Sequence, residues 1–271
     1  MGIILGIDIG GSTTKIVCVE DGHCIRKLQV RAADQIKSMY DALEGFLHDC
    51  SFSPSDIDAV YLTGVGASFI DEQILDIKTY KVNEFDAIGR GALMLTGLKE
   101  ALVVSVGTGT AIVRVIAEKS EHIGGTGIGG GTIVGLASRM LGLNDVDAVI
   151  ALAEKGDLTK VDLKVGDMFG KDIKSLPSHL TAANFGKIEC TASEPDVALG
   201  ILNMVFETVG MMAVFALRND ELNDVIFTGT LATFPQAQST SKKFAELTGY
   251  NFIIPQDAVF ATALGAIPNH L

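Results

Sequence analysis

Apolar residues at the start of the chain come in short runs separated by small polar turns. The runs predict strands at residues 3–9, 13–19 and 24–30. The short connections between these runs, Gly10 with Gly11 and Asp21 with Gly22, are typical of antiparallel hairpins. A helical periodicity follows over about residues 33–48, and a further strand at 59–64 ends in glycine. Antiparallel strands followed by helix and strand predict an α/β domain with a mixed sheet.

The same order of apolar strand, small polar turn and apolar strand begins again after residue 101. Residues 102–116 repeat the pattern of residues 5–13, which we interpret as a diverged duplication. A boundary near residues 97–101 then divides the chain into halves 1–100 and 101–271. Further helices are predicted at 131–141, 145–153, 195–217, up to 247 and at 257–267, and strands at 225–229 and 252–254. Residues 160–190 have weak periodicity and are interpreted as an insertion near the cleft between the halves.

The composition of the 271 residues is that of a folded, acidic protein. Hydrophobic residues make up 48% of the chain and charged residues 20%, which is enough apolar material for a sizeable core. The net charge of −12 repels a phosphate backbone and argues against nucleic-acid binding. We expect no apolar run long enough to cross a bilayer, and no basic leader precedes the first strand. These features predict a soluble, cytoplasmic protein with no membrane partner.

Cysteine and histidine residues do not form a metal-binding pattern. The four cysteines contain no C-x-x-C pair and are expected to be reduced and mostly buried: Cys18, Cys24, Cys50 and Cys190. The histidines are scattered without a helical H-x-x-x-H pair: His23, His48, His122, His179 and His270. A structural metal site is therefore not expected.

The turn after the first strand has the composition of a phosphate-binding hairpin. Its glycines let the backbone approach a ligand closely, and its hydroxyls and amides are donors for phosphate oxygens; these residues are Gly10, Gly11, Ser12, Thr13 and Thr14. Asp8 at the strand end is a candidate Mg²⁺ carboxylate, acting through water, and Lys15 offsets phosphate charge. The alternative is a tight hairpin whose hydroxyls only satisfy their own turn.

Two further glycine turns in the second half make a purely structural origin less probable. Residues 107–110 repeat the hairpin and contain Thr108, and residues 124–132 form a glycine run that opens a helix, a setting that suits an anion. No Walker A sequence is present, and the G-x-G-x-x-G spacing lacks a Rossmann context. Two halves that each offer a phosphate hairpin to a shared cleft predict a nucleotide clamped between them.

These motifs resemble those of the actin, Hsp70 and sugar-kinase superfamily and, in detail, the type II pantothenate kinases. The resemblance covers nearly the whole chain, through residues 8–15, 82–87, 106–110, 124–135, 155–157, 161–163, 180–186, 227–229 and 263–266. The glutamate motif at 82–87 and the sequence Thr-Ala-Ala-Asn-Phe-Gly at 181–186 are its specific parts. The fold implied is a pair of duplicated ribonuclease H-like (actin-like ATPase) domains. Each has a mixed five-stranded sheet flanked by helices, with the nucleotide in the interdomain cleft.

The resemblance implies an ATP-dependent and Mg²⁺-dependent phosphorylation of the primary hydroxyl of pantothenate, the first step of coenzyme A biosynthesis. Glu84 matches the catalytic base, although it also has the character of a helix-start residue capped by Asn83. At an ordinary glutamate pKa this base is already ionised at neutral pH. The matching nucleotide-binding positions are Asp8, Gly10, Gly11, Ser12, Thr13, Thr14, Lys15, Thr108, Gly129, Gly130, Gly131, Thr132, Gly229 and Thr230. A homodimer is also implied, with the apolar helix at 195–217 as the candidate contact.

The acceptor side is less well defined by the sequence. Its candidate residues are Ser105, Thr108, Arg114, His122 and Asn184. Relatives commonly carry an arginine at the position of His122, and a neutral imidazole lacks the two-pronged carboxylate contact of a guanidinium. Alternatives remain for three of them: Ser105 as a buried hydroxyl bonded to backbone, Arg114 as a salt-bridge partner and His122 as a surface residue.

Three other functions are consistent with parts of the sequence. A kinase of the same superfamily with another small hydroxylated acceptor is favoured if His122 alters the acid-binding end. A nucleotide-dependent switch without catalysis has no need of a carboxylate such as Glu84 beside the acceptor. An iron–sulfur activator ATPase is disfavoured because the cysteines show no cluster-like arrangement.

Overall fold

A computed structural model describes residues 2–32, 34–170, 177–189 and 191–268. The predicted helix start at Ala33, the burial of Cys190, the position of His270 and residues 171–176 of the predicted insertion lie outside this description. Its strands are β1 (Ile3–Ile9), β2 (Thr13–Glu20), β3 (His23–Arg31), β4 (Ile57–Thr63), β5 (Thr79–Lys81), β6 (Glu100–Val106), β7 (Thr110–Ile116), β8 (Lys119–Thr126), β9 (Leu163–Lys164), β10 (Thr181–Ala183), β11 (Asp224–Thr228) and β12 (Asn251–Ile253). Its α-helices are α1 (Gln35–Cys50), α2 (Glu84–Thr96), α3 (Gly130–Leu141), α4 (Val146–Ala153), α5 (Val165–Phe169), α6 (Glu194–Leu217), α7 (Pro235–Thr248) and α8 (Ala261–Ala266).

Two five-stranded sheets with the same strand order form the centre of the molecule. The first is ordered β3-β2-β1-β4-β5 and the second β8-β7-β6-β11-β12. In each sheet the first three strands are antiparallel, and the fourth strand runs parallel to the central one. Asp21 and Gly22 both have positive φ, 51° and 78°, as the tight β2–β3 hairpin requires. The mixed five-stranded sheets expected for each half are therefore confirmed.

Strand β8 was not predicted, because its sequence lacks the alternation of a half-buried strand. It is the edge strand of the second sheet and pairs only with β7 among the described residues. Polar residues dominate its first half, and Glu121, His122 and Ile123 are all exposed. The glycines at 124 and 125, expected in a turn, are instead the end of this strand. An edge strand needs little apolar burial, so period-two patterning does not reveal it.

Each half contributes one helix to the other half's sheet. Ile88 and Ala92 of α2 pack against Val103, Val113 and Ile226 of the second sheet. In return, Ala263 and Leu264 of α8 pack against Ile4 and Val17 of the first sheet. The division at about residue 100 stays a prediction. Hydrophobic packing nevertheless joins the two sides of this division, because α2 precedes residue 100 in the chain and lies on the second sheet.

Helices α2 and α8 cross at two glycines. A Cβ atom at Gly91 would lie 1.8 Å from the carbonyl oxygen of Ala261, and one at Gly265 would lie 2.0 Å from that of Ala87. No side chain fits at either position, so the two backbones touch directly. This contact fixes the first half against the second.

Helix α6 is the main buried helix of the second half. Ile201, Val205 and Phe206 belong to the core under the second sheet, together with residues of α3 and α4. The expectation that no segment is apolar enough to cross a membrane is wrong by length and composition, because α6 passes that test. More than half of its apolar window is buried inside the fold, as in the core helix of a soluble protein.

The predicted insertion contains a separate two-stranded sheet. β9 and β10 pair antiparallel beside the short helix α5, outside both five-stranded sheets. Asp162, which is fully buried, accepts hydrogen bonds from Phe185 N at 2.9 Å and from Asn203 Nδ2 at 2.8 Å, and these bonds tie the segment to α6. No described residue between 160 and 189 lines the large cleft cavity, and the placement of the insertion near the cleft stays a prediction.

Candidate active site

A cavity of about 840 Å³ lies between the two sheets. Its walls come from both halves and from all three glycine-rich segments that the sequence singled out. The predicted residues that line it are Asp8, Gly10, Gly11, Ser12, Thr13, Lys15, Glu84, Ser105, Thr108, Gly130, Gly229 and Thr230. The fold therefore brings most of the predicted site to one place.

The first hairpin places an ion pair inside this cavity. Asp8 and Lys15 are opposite each other in the β1–β2 pairing, and Lys15 Nζ lies 3.1 Å from Asp8 Oδ2. Both residues are only 6% exposed, so the charges are shielded from bulk water. The turn is closed by Gly10 N donating to Thr13 O at 3.0 Å. Thr14 does not line the cavity: it is fully buried, and in the described part of the chain its Oγ1 has no partner.

The second hairpin approaches the first across the cleft. Its turn is closed by Gly107 N donating to Gly109 O at 2.9 Å. The Thr108 hydroxyl lies 3.0 Å from the Ser12 hydroxyl, which joins the tips of the two hairpins by a side-chain hydrogen bond. Both hydroxyls line the cavity, so they are donors available to a ligand at the junction of the halves.

The glycine run before α3 is used mainly to hold the second hairpin. Gly130 N donates to Gly107 O, and Gly131 N donates to Thr108 O, both at 2.8 Å. The Thr132 hydroxyl donates to Gly127 O at 3.0 Å and accepts from Gly129 N at 3.2 Å. Of the four residues predicted here, only Gly130 lines the cavity. Gly129, Gly131 and Thr132 do not line the cavity, and their contact with a nucleotide stays a prediction.

Glu84 is the first residue of α2 and lines the same cavity. Asn83 caps the helix, its side-chain oxygen accepting from Phe85 N at 2.9 Å and Asp86 N at 3.2 Å. Both interpretations of the glutamate motif, helix start and cleft carboxylate, therefore hold together. Burial and the neighbouring Asp8 carboxylate raise the pKa of Glu84 above its ordinary value, and the Lys15 charge opposes this only in part. The expectation of an ordinary glutamate pKa is wrong for this reason.

The loop after β11 forms another wall of the cavity. Gly229 has a φ of 89°, and a Cβ there would lie 2.6 Å from the carbonyl oxygen of Val106. Gly229 and Thr230 line the cavity, as do Leu231, Thr233 and Phe234, which the sequence did not single out. This loop presents hydroxyl groups beside an apolar surface, a combination suited to a nucleoside.

Three predicted acceptor residues do not line the cavity. Arg114 Nε donates to Asp220 Oδ2 at 2.6 Å on a separate surface, so the salt-bridge alternative is confirmed for it. Asn184 Nδ2 donates to Glu207 Oε2 at 3.1 Å beside α6. His122 is exposed on β8, where its ring stacks on Phe85 with centroids 3.9 Å apart. Because Phe85 is the residue after Glu84, this ring contact places His122 next to the first turn of α2, which carries Glu84.

Other cavity residues were not among the predicted site residues, although Gly107, Gly109, Thr110 and Thr126 lie in glycine-rich segments that the sequence singled out. They are Gln29, Arg31, Val65, Ile88, Gly107, Gly109, Thr110, Ala111, Thr126, Val134, Asn144, Asp145, Val146, Asp147, Leu231, Thr233, Phe234, Val259 and Thr262. Among them, Arg31 at the end of β3 forms ion pairs with Asp145 and Asp147 at the start of α4. These partners are more than a hundred positions apart, so no local pattern connects them.

The chain matches known proteins both in sequence and in structure. Residues 99–246 match the family model described as Fumble. A type II pantothenate kinase of Bacillus cereus (strain G9842) is 28% identical over 274 residues, covering 97% of both chains. One of Staphylococcus haemolyticus (strain JCSC1435) is 28% identical over 273 residues, covering 97% of this chain and 98% of the relative. The resemblance to type II pantothenate kinases is therefore confirmed.

Solved structures show the same fold at lower sequence identity. Component A of the (R)-2-hydroxyglutaryl-CoA dehydratase of Acidaminococcus fermentans has a TM-score of 0.68 at 17% identity, covering 98% of this chain and 96% of that one. A ROK family glucokinase of Streptomyces griseus, solved with glucose and AMPPNP, has a TM-score of 0.57 at 15% identity, covering 98% of both chains. At these identities the likeness extends to the fold alone, and it confirms the predicted fold class.

Proposed function

The chain belongs to the Fumble family, and from that premise we propose that it is an ATP-dependent kinase that phosphorylates the primary hydroxyl of pantothenate. This reaction opens coenzyme A biosynthesis. The observation that carries the proposal is the placement of Glu84 beside the Asp8–Lys15 pair, in a cavity walled by both hairpins. The type II pantothenate kinases that the chain resembles over 97% of its length support the choice of acceptor.

The nucleotide is proposed to span the junction of the two halves. Backbone amides of the hairpins and the hydroxyls of Ser12 and Thr108 donate to its phosphates, and Lys15 offsets their charge. The loop that begins at Gly229 receives the nucleoside, with Thr230 among its hydroxyl donors. Two hairpins held by a direct hydrogen bond are already close together, which lowers the entropic cost of closing on a ligand.

Glu84 is proposed to act as the general base. Its carboxylate accepts the proton of the acceptor hydroxyl as the hydroxyl oxygen forms its bond to the γ-phosphorus. The bond from that phosphorus to the bridging oxygen breaks, and its electron pair leaves with ADP. A raised pKa makes this carboxylate a stronger base than an exposed glutamate, while leaving it ionised when the pH exceeds that pKa.

The residues present fit a magnesium ion that arrives with the nucleotide. Mg²⁺ in kinases is typically held by one or two carboxylates together with substrate phosphates, and Asp8 supplies one such carboxylate inside the cavity. In the described part of the chain no group of three or more metal-ligating side chains gathers, so a site made by protein alone is not proposed. The bound ion would neutralise phosphate charge. The ion pair with Lys15 Nζ, at 3.1 Å, holds the Asp8 side chain where it lines the cavity.

A kinase for an uncharged relative of pantothenate is the second candidate. Among the described residues that line the cavity, the cationic side chains are Lys15 and Arg31, and both are already paired with carboxylates. A pantothenate carboxylate would therefore depend on His122, which lies outside the cavity wall and is stacked on Phe85. An acceptor that ends in an amide, such as pantetheine, needs no cation there.

The substrate test compares pantothenate with pantetheine as acceptors under saturating ATP. We expect ATP-dependent formation of a phosphate monoester with at least one of them, and the kcat/KM ratio identifies the acceptor. The variant Arg114→Gln is the matched control, because its guanidinium is held outside the cavity, and it should match the wild-type rate. The proposal would be contradicted if neither pantothenate nor pantetheine were phosphorylated by ATP.

The quaternary state and location are proposed from the resemblance and from α6. We infer a cytoplasmic homodimer, in which the exposed side of α6 meets a second copy. Met204, Met211 and Phe215 lie on that side at helical spacing, and Phe215 is 63% exposed. An apolar stripe of this kind on a long helix is suited to an isologous contact.

A further inference from the structure

The chain carries a second internal repeat, which the hairpin motifs do not include. Residues 63–69 read Thr-Gly-Val-Gly-Ala-Ser-Phe, and residues 228–234 read Thr-Gly-Thr-Leu-Ala-Thr-Phe. The two segments share threonine, glycine, alanine and phenylalanine at the same places and a hydroxyl residue at the sixth. Each follows the strand that runs parallel to the central strand of its sheet, β4 beside β1 and β11 beside β6.

The two copies also have the same conformation. Gly64 has φ 86° and ψ 166°, and Gly229 has φ 89° and ψ 175°. Ala67 N donates to Gly64 O at 3.1 Å, and the equivalent bond from Ala232 N to Gly229 O is 3.2 Å. The hydroxyl at the sixth position bonds the third-position carbonyl in each copy, at 2.8 Å for Ser68 and 3.3 Å for Thr233. The repeat is therefore one structural device used twice.

The register of the strands places the copies at equivalent points of the cleft. Thr63 pairs with Asp8 in the first sheet, and Thr228 pairs with Ser105 in the second. Asp8 and Ser105 both line the cavity. Because the third residue of each copy, Val65 or Thr230, also lines it, the two loops face one cavity from opposite halves.

The copies differ in how much apolar surface they expose. In the second copy Leu231 and Phe234 are packed, at 3% and 9% exposure. In the first copy Val65 is 55% exposed and Phe69 is 70% exposed. Val65 lines the cavity, and Phe69 is exposed later in the same loop, so the first copy offers apolar surface that a ligand can cover.

We propose that loop 63–69 is the acceptor-binding counterpart of the nucleoside-binding loop 228–234, with Val65 and Phe69 covering an apolar part of the acceptor. The assignment rests on the proposed kinase function. Phosphoryl transfer requires two ligands that approach one phosphorus atom from opposite sides, and the duplicated fold offers one loop for each. Val65 shares the cavity with Glu84, which comes from the same half, so the first copy serves the hydroxyl donor. In pantothenate and pantetheine, the quaternary carbon next to the reacting CH2–OH group carries two methyl groups, which suit an apolar wall.

The test measures KM for the acceptor and for ATP in two variants, Val65→Ser and Phe69→Ser. Both side chains are more than half exposed, so thermal unfolding should change little. We expect KM for the acceptor to rise about tenfold in at least one of the variants and KM for ATP to stay within about twofold of wild type. The control Ile25→Ser removes a similarly exposed apolar residue from β3 and should change neither constant.

The second copy supplies the reciprocal variant. Thr233→Ala alters the loop at 228–234 and should raise KM for ATP while leaving KM for the acceptor unchanged. Unchanged acceptor KM in both first-copy variants, or a rise in their KM for ATP instead, would overturn the assignment of the loop. If the wild-type enzyme phosphorylates neither pantothenate nor pantetheine nor any other hydroxylated acceptor, the kinase proposal and the loop assignment both fail. If it phosphorylates one and the variants behave as wild type, only the loop assignment fails.

Discussion

Glu84 has an environment that pulls its pKa in two directions. As the first residue of α2 it lies at the positive end of a helix dipole, which favours the ionised form. Burial and the Asp8 carboxylate oppose this and leave the pKa raised overall. A proton acceptor with a raised pKa is the property that general-base catalysis needs. Here the raised pKa arises from burial and from the Asp8 carboxylate on β1, which is more than seventy positions away in the chain.

Replacing Glu84 with Gln should lower kcat by about 100-fold or more, because the proton acceptor is lost, while ATP affinity stays within about tenfold. In the wild-type enzyme, kcat/KM should fall as the pH drops through the raised pKa, since protonated Glu84 accepts no proton. The acid limb should therefore lie above pH 4.5, the ordinary value. Steady-state kinetics between pH 4 and 9 and nucleotide titration measure both effects.

The matched control for this variant is Asp86→Asn. Asp86 is an exposed carboxylate in the same helical turn, so it tests whether charge at the start of α2 matters by itself. It should retain nearly full turnover. A Glu84→Gln enzyme with near-normal kcat would remove Glu84 from the role of base.

At the scale of elements, α2 connects the catalytic candidate to the core of the opposite half. Its first turn is fixed by the Asn83 cap, and its later turns pack on the second sheet through Ile88 and Ala92. The position of the carboxylate thus depends on a local cap and on a distant packing surface together. The cap was predicted from the sequence, whereas the packing partner was not.

Removing the cap with Asn83→Ala should destabilise the protein by about 1 kcal/mol, because two backbone N–H groups lose their acceptor. The frayed first turn should also lower kcat, since Glu84 is part of it. Asn83→Ser keeps a capping oxygen and should restore most of both losses. Urea unfolding and steady-state kinetics on the two variants provide the comparison, and equal kcat in Asn83→Ala and wild type would show that the cap does not position Glu84.

At the scale of the whole molecule, the two halves are held together at several separate places. Helices α2 and α8 cross at Gly91 and Gly265, the Ser12 and Thr108 hydroxyls join the tips of the two hairpins, and Arg31 pairs with Asp145. The ion pair between Arg31 and Asp145 is exposed and adds little to stability, so it is easily broken when the cleft opens. The helix contact is backbone against backbone and is the part expected to persist.

The proposed dimer predicts a change of mass when the stripe on α6 is charged. Phe215→Glu places a carboxylate at the centre of the contact on both copies, and burying two like charges should convert the dimer to the monomer. Analytical ultracentrifugation at micromolar concentration reads the result directly. Ile25→Glu, on the exposed strand β3, is the control and should remain dimeric; a monomeric wild-type protein would contradict the dimer.

Much of this protein could be predicted from neighbours in the chain. The hairpins, the α1 periodicity and the Asn83 cap depend on residues a few positions apart, so composition and spacing determine them. Edge strand β8 was not predicted, because too little of it is buried to produce an alternation of hydrophobic and polar residues. Arg114 and Asn184 were predicted for the acceptor site but do not line the cavity. Their partners, Asp220 and Glu207, are set by packing that no spacing reveals.

The order of amino acids by itself determined most of the strands and helices and showed which side chains have the chemistry for phosphoryl transfer. Only the tertiary structure decided the raised pKa of Glu84 and the packing of α2 and α8 on the sheet of the opposite half. It also decided that Lys15 and Arg31 form ion pairs with carboxylates. The physical reason is the separation along the chain over which each kind of interaction acts. Hydrogen bonds of a turn act over a few residues, whereas burial and Coulomb interactions act between any groups that folding brings together.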